Sequence, residues 1–284
     1  LNGINKGTAM RDDHDGGLSK DIEIFSATLV ERRRALSLLG AVAGSAVGLA
    51  GLGSLLSSRA AAAAGSCQIP DSPEIAGPFP ADGTNHANGE TSDVLTESGV
   101  VRRDVRRSFL STTTKAKGLK VHLKLTLVNT NAQCVPLAGW AVYFWHCDRD
   151  GLYSLYTIPQ ESYLRGMQVS DENGRLDFVT VFPGCYPGRW PHLHLENFTS
   201  LADATTGKNS VLTTQLALPA DICADVYGNA KGYEGSRNPF SHVSIAGDVS
   251  FGDNTPAQMK VMTPKFRGDP ETGYVATATV GIPV

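Results

Sequence analysis

No two of the five cysteines (Cys67, Cys134, Cys147, Cys185 and Cys223) stand in a Cys-x-x-Cys spacing, which excludes a zinc ribbon and a paired-thiol redox motif. Positive charge is not in excess either. Twenty-five Lys and Arg against 28 Asp and Glu leave a net charge of −3, with no basic field for nucleic acid. The one cationic cluster, VRRDVRR with Arg102, Arg103, Arg106 and Arg107, reads as a solvated loop. There is no internal repeat, and past residue 66 no segment carries a helical apolar stripe.

At the N-terminal side, Arg32, Arg33 and Arg34 precede a run of 22 uncharged residues, 35–56, and then the alanine-rich tract 60–65. Basic, apolar and small-residue regions in that order form a secretory signal. The adjacent arginines, and the dilution of the apolar run by Gly40, Gly44, Gly48, Gly51 and Gly53, give it twin-arginine character. A membrane anchor is the competing reading, because 22 such residues can span a bilayer; the alanine-rich tract favours cleavage. Met10 is a candidate start, and a lipid on Cys67 is disfavoured because AAGSC lacks the leucine of a lipobox. The expected division is a tail and signal over residues 1–65 and one domain over 66–284, exported to the periplasm or the exterior. An oxidising destination would allow one or two disulfides, their pairing left open.

The domain reads as all-β, a sandwich of mainly antiparallel strands. KVHLKLTLVN alternates, with Val121, Leu123, Leu125 and Leu127 to one side and Lys120, His122, Lys124 and Thr126 to the other. GWAVYFWHCD is a continuous apolar run suited to an inner strand. YLRGMQVSD and RLDFVTVF flank the turn ENGR and form an expected hairpin. PHLHLENF, TTQLALP, AQMKVMTP and GYVATATVGI are further expected strands, and residues 72–93 an ordered loop along the domain edge.

PGCYPGRWPHLHLENF gathers Tyr186, Arg189, His192 and His194 within nine positions. On a strand the two histidines point to one side and Leu193 and Leu195 to the other. Two imidazoles suit iron, copper, zinc or nickel alike. A tyrosine ligand would narrow the choice: deprotonating a phenol of pKa ≈ 10 near neutrality takes about 4 kcal/mol, which a hard, highly charged cation such as Fe(III) supplies best. Tyr153, in CDRDGLYS, is the second candidate phenol, with Tyr156 and Tyr163 as neighbours that could replace it.

Over residues 134–198 the order W-H, G-x-Y, L-R-G-x-Q-x-S-D-x-x-G, P-G-x-Y and R-x-x-H-x-H resembles the intradiol ring-cleaving dioxygenases. It looks closest to the secreted single-chain branch similar to the protocatechuate 3,4-dioxygenase β chain, with a fainter echo in PEIAGPFP. The resemblance implies non-haem Fe(III) held by Tyr153, Tyr186, His192 and His194, with Arg189 and Tyr153 as catalytic residues and the arginine stabilising charge on the substrate ring. The implied reaction is cleavage of a catechol by dioxygen to a cis,cis-muconate. His146 is then structural rather than a ligand, and His122 is exposed. Arg165 and Gln168 either line the pocket or support the core, and Trp190 and Cys185 could shape the pocket. The expected partners are an aromatic diol and dioxygen, with no nucleic acid, a membrane only during export, and a homo-oligomer left open. Two competing readings are a non-catalytic binding protein on the same scaffold and a copper or zinc enzyme using the two histidines.

Overall fold

The computed structural model describes residues 67–284. The twin-arginine-type segment and Met10 lie outside the described residues. Within them, β1 (Lys120–Asn129) is the centre of a five-stranded sheet, its alternation burying Val121, Leu123, Leu125 and Leu127 as expected. β2 (Val135–Pro136) and β5 (Arg175–Val181) pair antiparallel with it, and β9 (Gly273–Ile282) pairs with it in parallel. β8 (Lys265–Asp269), which no sequence signal indicated, pairs antiparallel with β9 at the edge. The second sheet has the order β4-β3-β6-β7 and is wholly antiparallel, from β3 (Ala141–Trp145), β4 (Arg165–Val169), β6 (His192–Phe198) and β7 (Leu212–Ala217).

The two sheets close on one apolar core. Leu123, Phe178 and Val280 from the first meet Phe144, Leu193, Leu195 and Leu216 from the second, and the rings of Phe144 and Phe178 stack across the gap at 4.8 Å. The described residues therefore form the expected β-sandwich, with short helices beside it.

Three local expectations are corrected. The ENGR turn exists, closed by Gly174 N–H donating to Asp171 O with Gly174 at φ +70°, but it joins different sheets: β4 pairs with β3 while β5 pairs with β1. A tight turn fixes a reversal of the chain, and which neighbour each strand then bonds is decided by the core. AQMKVMTP is mainly helix, α3 (Pro256–Val261), because Thr255 and Gln258 form a reciprocal capping box ahead of Pro256. Lastly, α1 (Ala220–Asn229) does carry a short apolar stripe, burying Cys223, Val226 and Tyr227; α2 (Arg237–Phe240) follows it.

Cys67 is bonded to Cys134, while Cys147, Cys185 and Cys223 are buried thiols. In the arginine cluster, Arg103 and Arg106 pair with Asp177 and Asp104 near solvent. Arg102 departs from the solvated reading: it donates to the carbonyl of Arg165 and lies over the Phe109 ring at 4.1 Å.

Candidate active site

Every side chain of β6 is buried: one face of the strand meets the core, and on the other His194 lies under Gly77, Glu196 beside Asp82 and His192 beside Phe251. On that second face the register sets Arg165, Trp145, His194 and Gln215 in one row across β4, β3, β6 and β7. The His194 ring stacks flat on Trp145 at 4.7 Å, with 5° between planes, which fixes its orientation.

The remaining groups come from loops at the ends of these strands. After β3 the chain turns at Asp148, whose Oδ1 accepts from the backbone N–H groups of Asp150 and Leu152, and Gly151 (φ +82°) passes so close to Tyr186 that a Cβ there would stand 3.1 Å from the tyrosine's own. Tyr153 follows, its N–H held by Thr157 Oγ1. The loop before β6 is tied to the first by Gly184 N–H donating to Asp148 O, and it carries Tyr186 and Arg189.

These elements bring four of the expected groups together. Tyr153 Oη lies 3.2 Å from Tyr186 Oη, 3.4 Å from His192 Nε2 and 3.3 Å from His194 Nε2. Tyr186 Oη is 3.3 Å from His192 Nε2, and the two Nε2 atoms are 3.0 Å apart. Donor atoms with such mutual spacings share a centre about 2 Å from each, the length of a metal–nitrogen or metal–oxygen bond. His192 Nδ1 donates to the Trp190 carbonyl, which leaves the lone pair on Nε2 aimed at that centre. The residues present thus fit a metal ion, and two phenols with two imidazoles suit a hard trivalent one. Among the described residues no cluster of three or more His, Cys, Asp and Glu offers another such place.

Burial shapes the electrostatics. It pushes both phenols up, Tyr153 well above the usual 10, and it pushes His192 down to about 3 and His194 well below 6.5. The imidazoles are therefore neutral donors at any physiological pH, while the phenols require a neighbouring cation to ionise. Arg189, 3% exposed, supplies one positive charge: its Nη1 lies 3.4 Å from His192 Nε2. Burial alone would lower its pKa, but Asp248 and the two phenols outweigh that and hold it above its ordinary value.

The other expected residues lie elsewhere. The Tyr156 hydroxyl donates to Asn85 Oδ1 and accepts from Ala81 N–H, and Tyr163 donates to Asp148, so neither reaches the centre. His146 is bound between the Cys147 carbonyl and Thr180 Oγ1. His122 is partly exposed beside Asp177 and Arg103. Gln168 donates to the neighbouring carbonyl of Met167. Cys185 belongs to the sandwich core, and Trp190 donates to Leu218 O and packs with Phe251 and Met262.

Arg165 is a support. Fully buried, it gives Nε to Ser154 Oγ, Nη1 to Pro80 O and Tyr143 Oη, and Nη2 to Phe79 O and Ser154 O. It thereby anchors the residue after Tyr153 and the Phe79 segment, whose ring lies 4.8 Å from that of Tyr153. The sequence reading missed Gln215 and Asp248. A glutamine followed by Leu216 and Ala217 in the expected strand TTQLALP was the available signal for the first; nothing in the spacing pointed to the second.

The family model described as dioxygenase matches residues 105–221. Among solved structures, an intradiol ring-cleavage dioxygenase from Tetranychus urticae is 21% identical, with 76% of this chain and 95% of that one covered at a TM-score of 0.54. Hydroxyquinol 1,2-dioxygenase from Pseudomonas putida DLL-E4 is 15% identical, with 95% of this chain and 78% of that one covered at a TM-score of 0.50. At these identities the likeness to the two structures is one of fold.

Proposed function

We infer, from the match of residues 105–221 to the dioxygenase family model, the intradiol-dioxygenase fold and the geometry of the site, an Fe(III)-dependent enzyme that cleaves a catechol-type diol with dioxygen to a cis,cis-muconate. The observation that carries this reading is the convergence of Tyr153 Oη, Tyr186 Oη, His192 Nε2 and His194 Nε2 within 3.0–3.4 Å over the five measured pairs. A binding protein on this scaffold would have no use for it. A copper or zinc site would leave two buried phenols without a chemical reason.

In this reading the four side chains hold ferric iron. Bound there, iron supplies Lewis acidity, drawing electron density from a catechol so that its ring reacts with dioxygen. The chain does the rest. Tyr153 and Tyr186 are held as phenolates, and a phenolate oxygen of the pair accepts a proton from an incoming catechol hydroxyl. His192 and His194, fixed by Trp190 O and the Trp145 ring, keep their lone pairs aimed at one point. Arg189, which cannot lose its proton, stabilises negative charge developing on the substrate ring. Burial of the whole cluster keeps competing water away.

The reading includes export. It is supported by the leader pattern of residues 32–65 and by the Cys67–Cys134 bond, which suits an oxidising compartment.

The test is to supply iron-loaded protein with catechol and dioxygen and to identify the product. A cis,cis-muconate with one dioxygen consumed per ring is expected; a semialdehyde from cleavage beside the diol, or no turnover by fully loaded protein, would overturn the assignment.

A further inference from the structure

Arg189 is held by a residue 59 positions later in the chain. The Asp248 side chain is wholly excluded from solvent. Its Oδ2 accepts from Arg189 Nε at 3.0 Å and from the backbone N–H of Trp190 at 2.7 Å. Its Oδ1 accepts from Arg189 Nη2 at 3.3 Å and from the N–H groups of Ser250 and Phe251 at 2.9 and 3.2 Å. Arg189 Nη2 also donates to Gln215 Oε1 at 2.7 Å and to Ser250 Oγ at 3.1 Å. Nε and Nη2 are thereby fully engaged. Among the described residues Nη1 faces only His192 Nε2, so it is the one nitrogen of the fork directed at the donor cluster.

From this geometry we propose that Asp248 is a positioning residue that acts through Arg189, orienting Nη1 toward the reaction centre and balancing its charge there. The claim rests on the functional reading above. Two physical requirements meet in the one carboxylate. An arginine guanidinium has five N–H donors, and unless those of Nε and Nη2 are engaged it can rotate its charge away from the ring it serves. A buried cation beside a site for a trivalent metal is also repelled by it, and a buried carboxylate on the opposite edge of the fork offsets that repulsion. The segment that carries Asp248 is shaped for the purpose, since Ser250 and Phe251 present their N–H groups to the same carboxylate. Trp190, the residue next to Arg189, binds it from the other side.

The experiment is a double-mutant cycle on iron-loaded protein with Asp248→Asn, Arg189→Gln and the double variant. It reads kcat, KM, the visible absorption of the metal and the melting temperature of the iron-free chain. For Asp248→Asn, kcat falls about tenfold or more while KM changes by less than about threefold. The visible band is unchanged in all variants, since neither residue is a ligand. In the double variant kcat equals that of Arg189→Gln alone, whereas Asp248→Asn lowers the melting temperature in both backgrounds through the backbone groups it leaves unpaired. Losses of kcat that multiply across the two variants would overturn the proposal, as would an unchanged kcat in Asp248→Asn or a band bleached by it. If the unaltered chain shows neither colour nor turnover when loaded, the functional reading itself fails and this inference goes with it.

Discussion

His192 Nδ1 lies 2.5 Å from the carbonyl oxygen of Trp190, two residues before it. The carbonyl can only accept, so the ring proton sits on Nδ1 and the lone pair on Nε2, facing His194 and the two phenols. One backbone oxygen thus decides the tautomer of a candidate ligand. A strand that begins at His192 brings this about because Trp190 and Pro191 still belong to the loop, where the carbonyl is free of the sheet.

Removal of a phenol should show in colour. Phenolate bound to Fe(III) absorbs visible light, so iron-loaded protein is expected to be red-brown. Tyr186→Phe and Tyr153→Phe should each lose or strongly shift the band. Tyr156→Phe should leave it in place, because that hydroxyl is engaged by Asn85 and Ala81. An absorption spectrum of the three variants at matched iron content decides; a band sensitive to Tyr156 alone would reassign the ligand.

Arg165 gives every N–H of its fork to buried oxygens, and among the described residues no carboxylate pairs with it. Arg165→Met fills the space but leaves the carbonyls of Phe79, Pro80 and Ser154 without their donor, which should cost about 3 kcal/mol or more. Denaturant unfolding of the iron-free protein measures this. A loss under about 1 kcal/mol would mean that water or a shifted loop replaces the fork.

Asp71 gives a pH-dependent prediction with a definite sign. Burial raises its pKa from 3.8 to about 7, against the hydrogen bond from Gly281 N–H, which lowers it. A raised folded value means that the neutral form is the stable one inside. Its contribution is fully present below pH 3.8 and is lost as pH rises through about 7. Asp71→Asn keeps the acceptor and cannot ionise. It should match the unaltered protein near pH 4 and exceed it in stability at pH 8, by a few kcal/mol. Melting curves across that range test it, and a stability difference independent of pH would refute it.

The sequence carried much of this, unevenly. β1 and β9 were legible because one face of each meets the core and the other solvent, which writes alternation into the chain. β3 is buried on both sides and reads as an apolar run; β6 is buried on both sides too, but its His-x-His spacing still told which face the imidazoles share. The ENGR turn showed where the chain reverses but not that β4 and β5 part into different sheets, since pairing is a long-range property. In α3 the capping box in TPAQ was present and was outweighed by the apolar content of AQMKVM. The four donor residues lie within 42 positions, at short spacings that a motif can hold. Asp248 reaches Arg189 from a loop after α2, and no local periodicity records such a contact.

The central claim is that Tyr153, Tyr186, His192 and His194 hold one ferric ion. Anomalous diffraction at the iron absorption edge from crystals of iron-loaded protein tests it most directly. The expected result is a single peak about 2 Å from the two phenol oxygens and the two Nε2 atoms. A peak bonded to the imidazoles alone, or standing anywhere else in the domain, would contradict it.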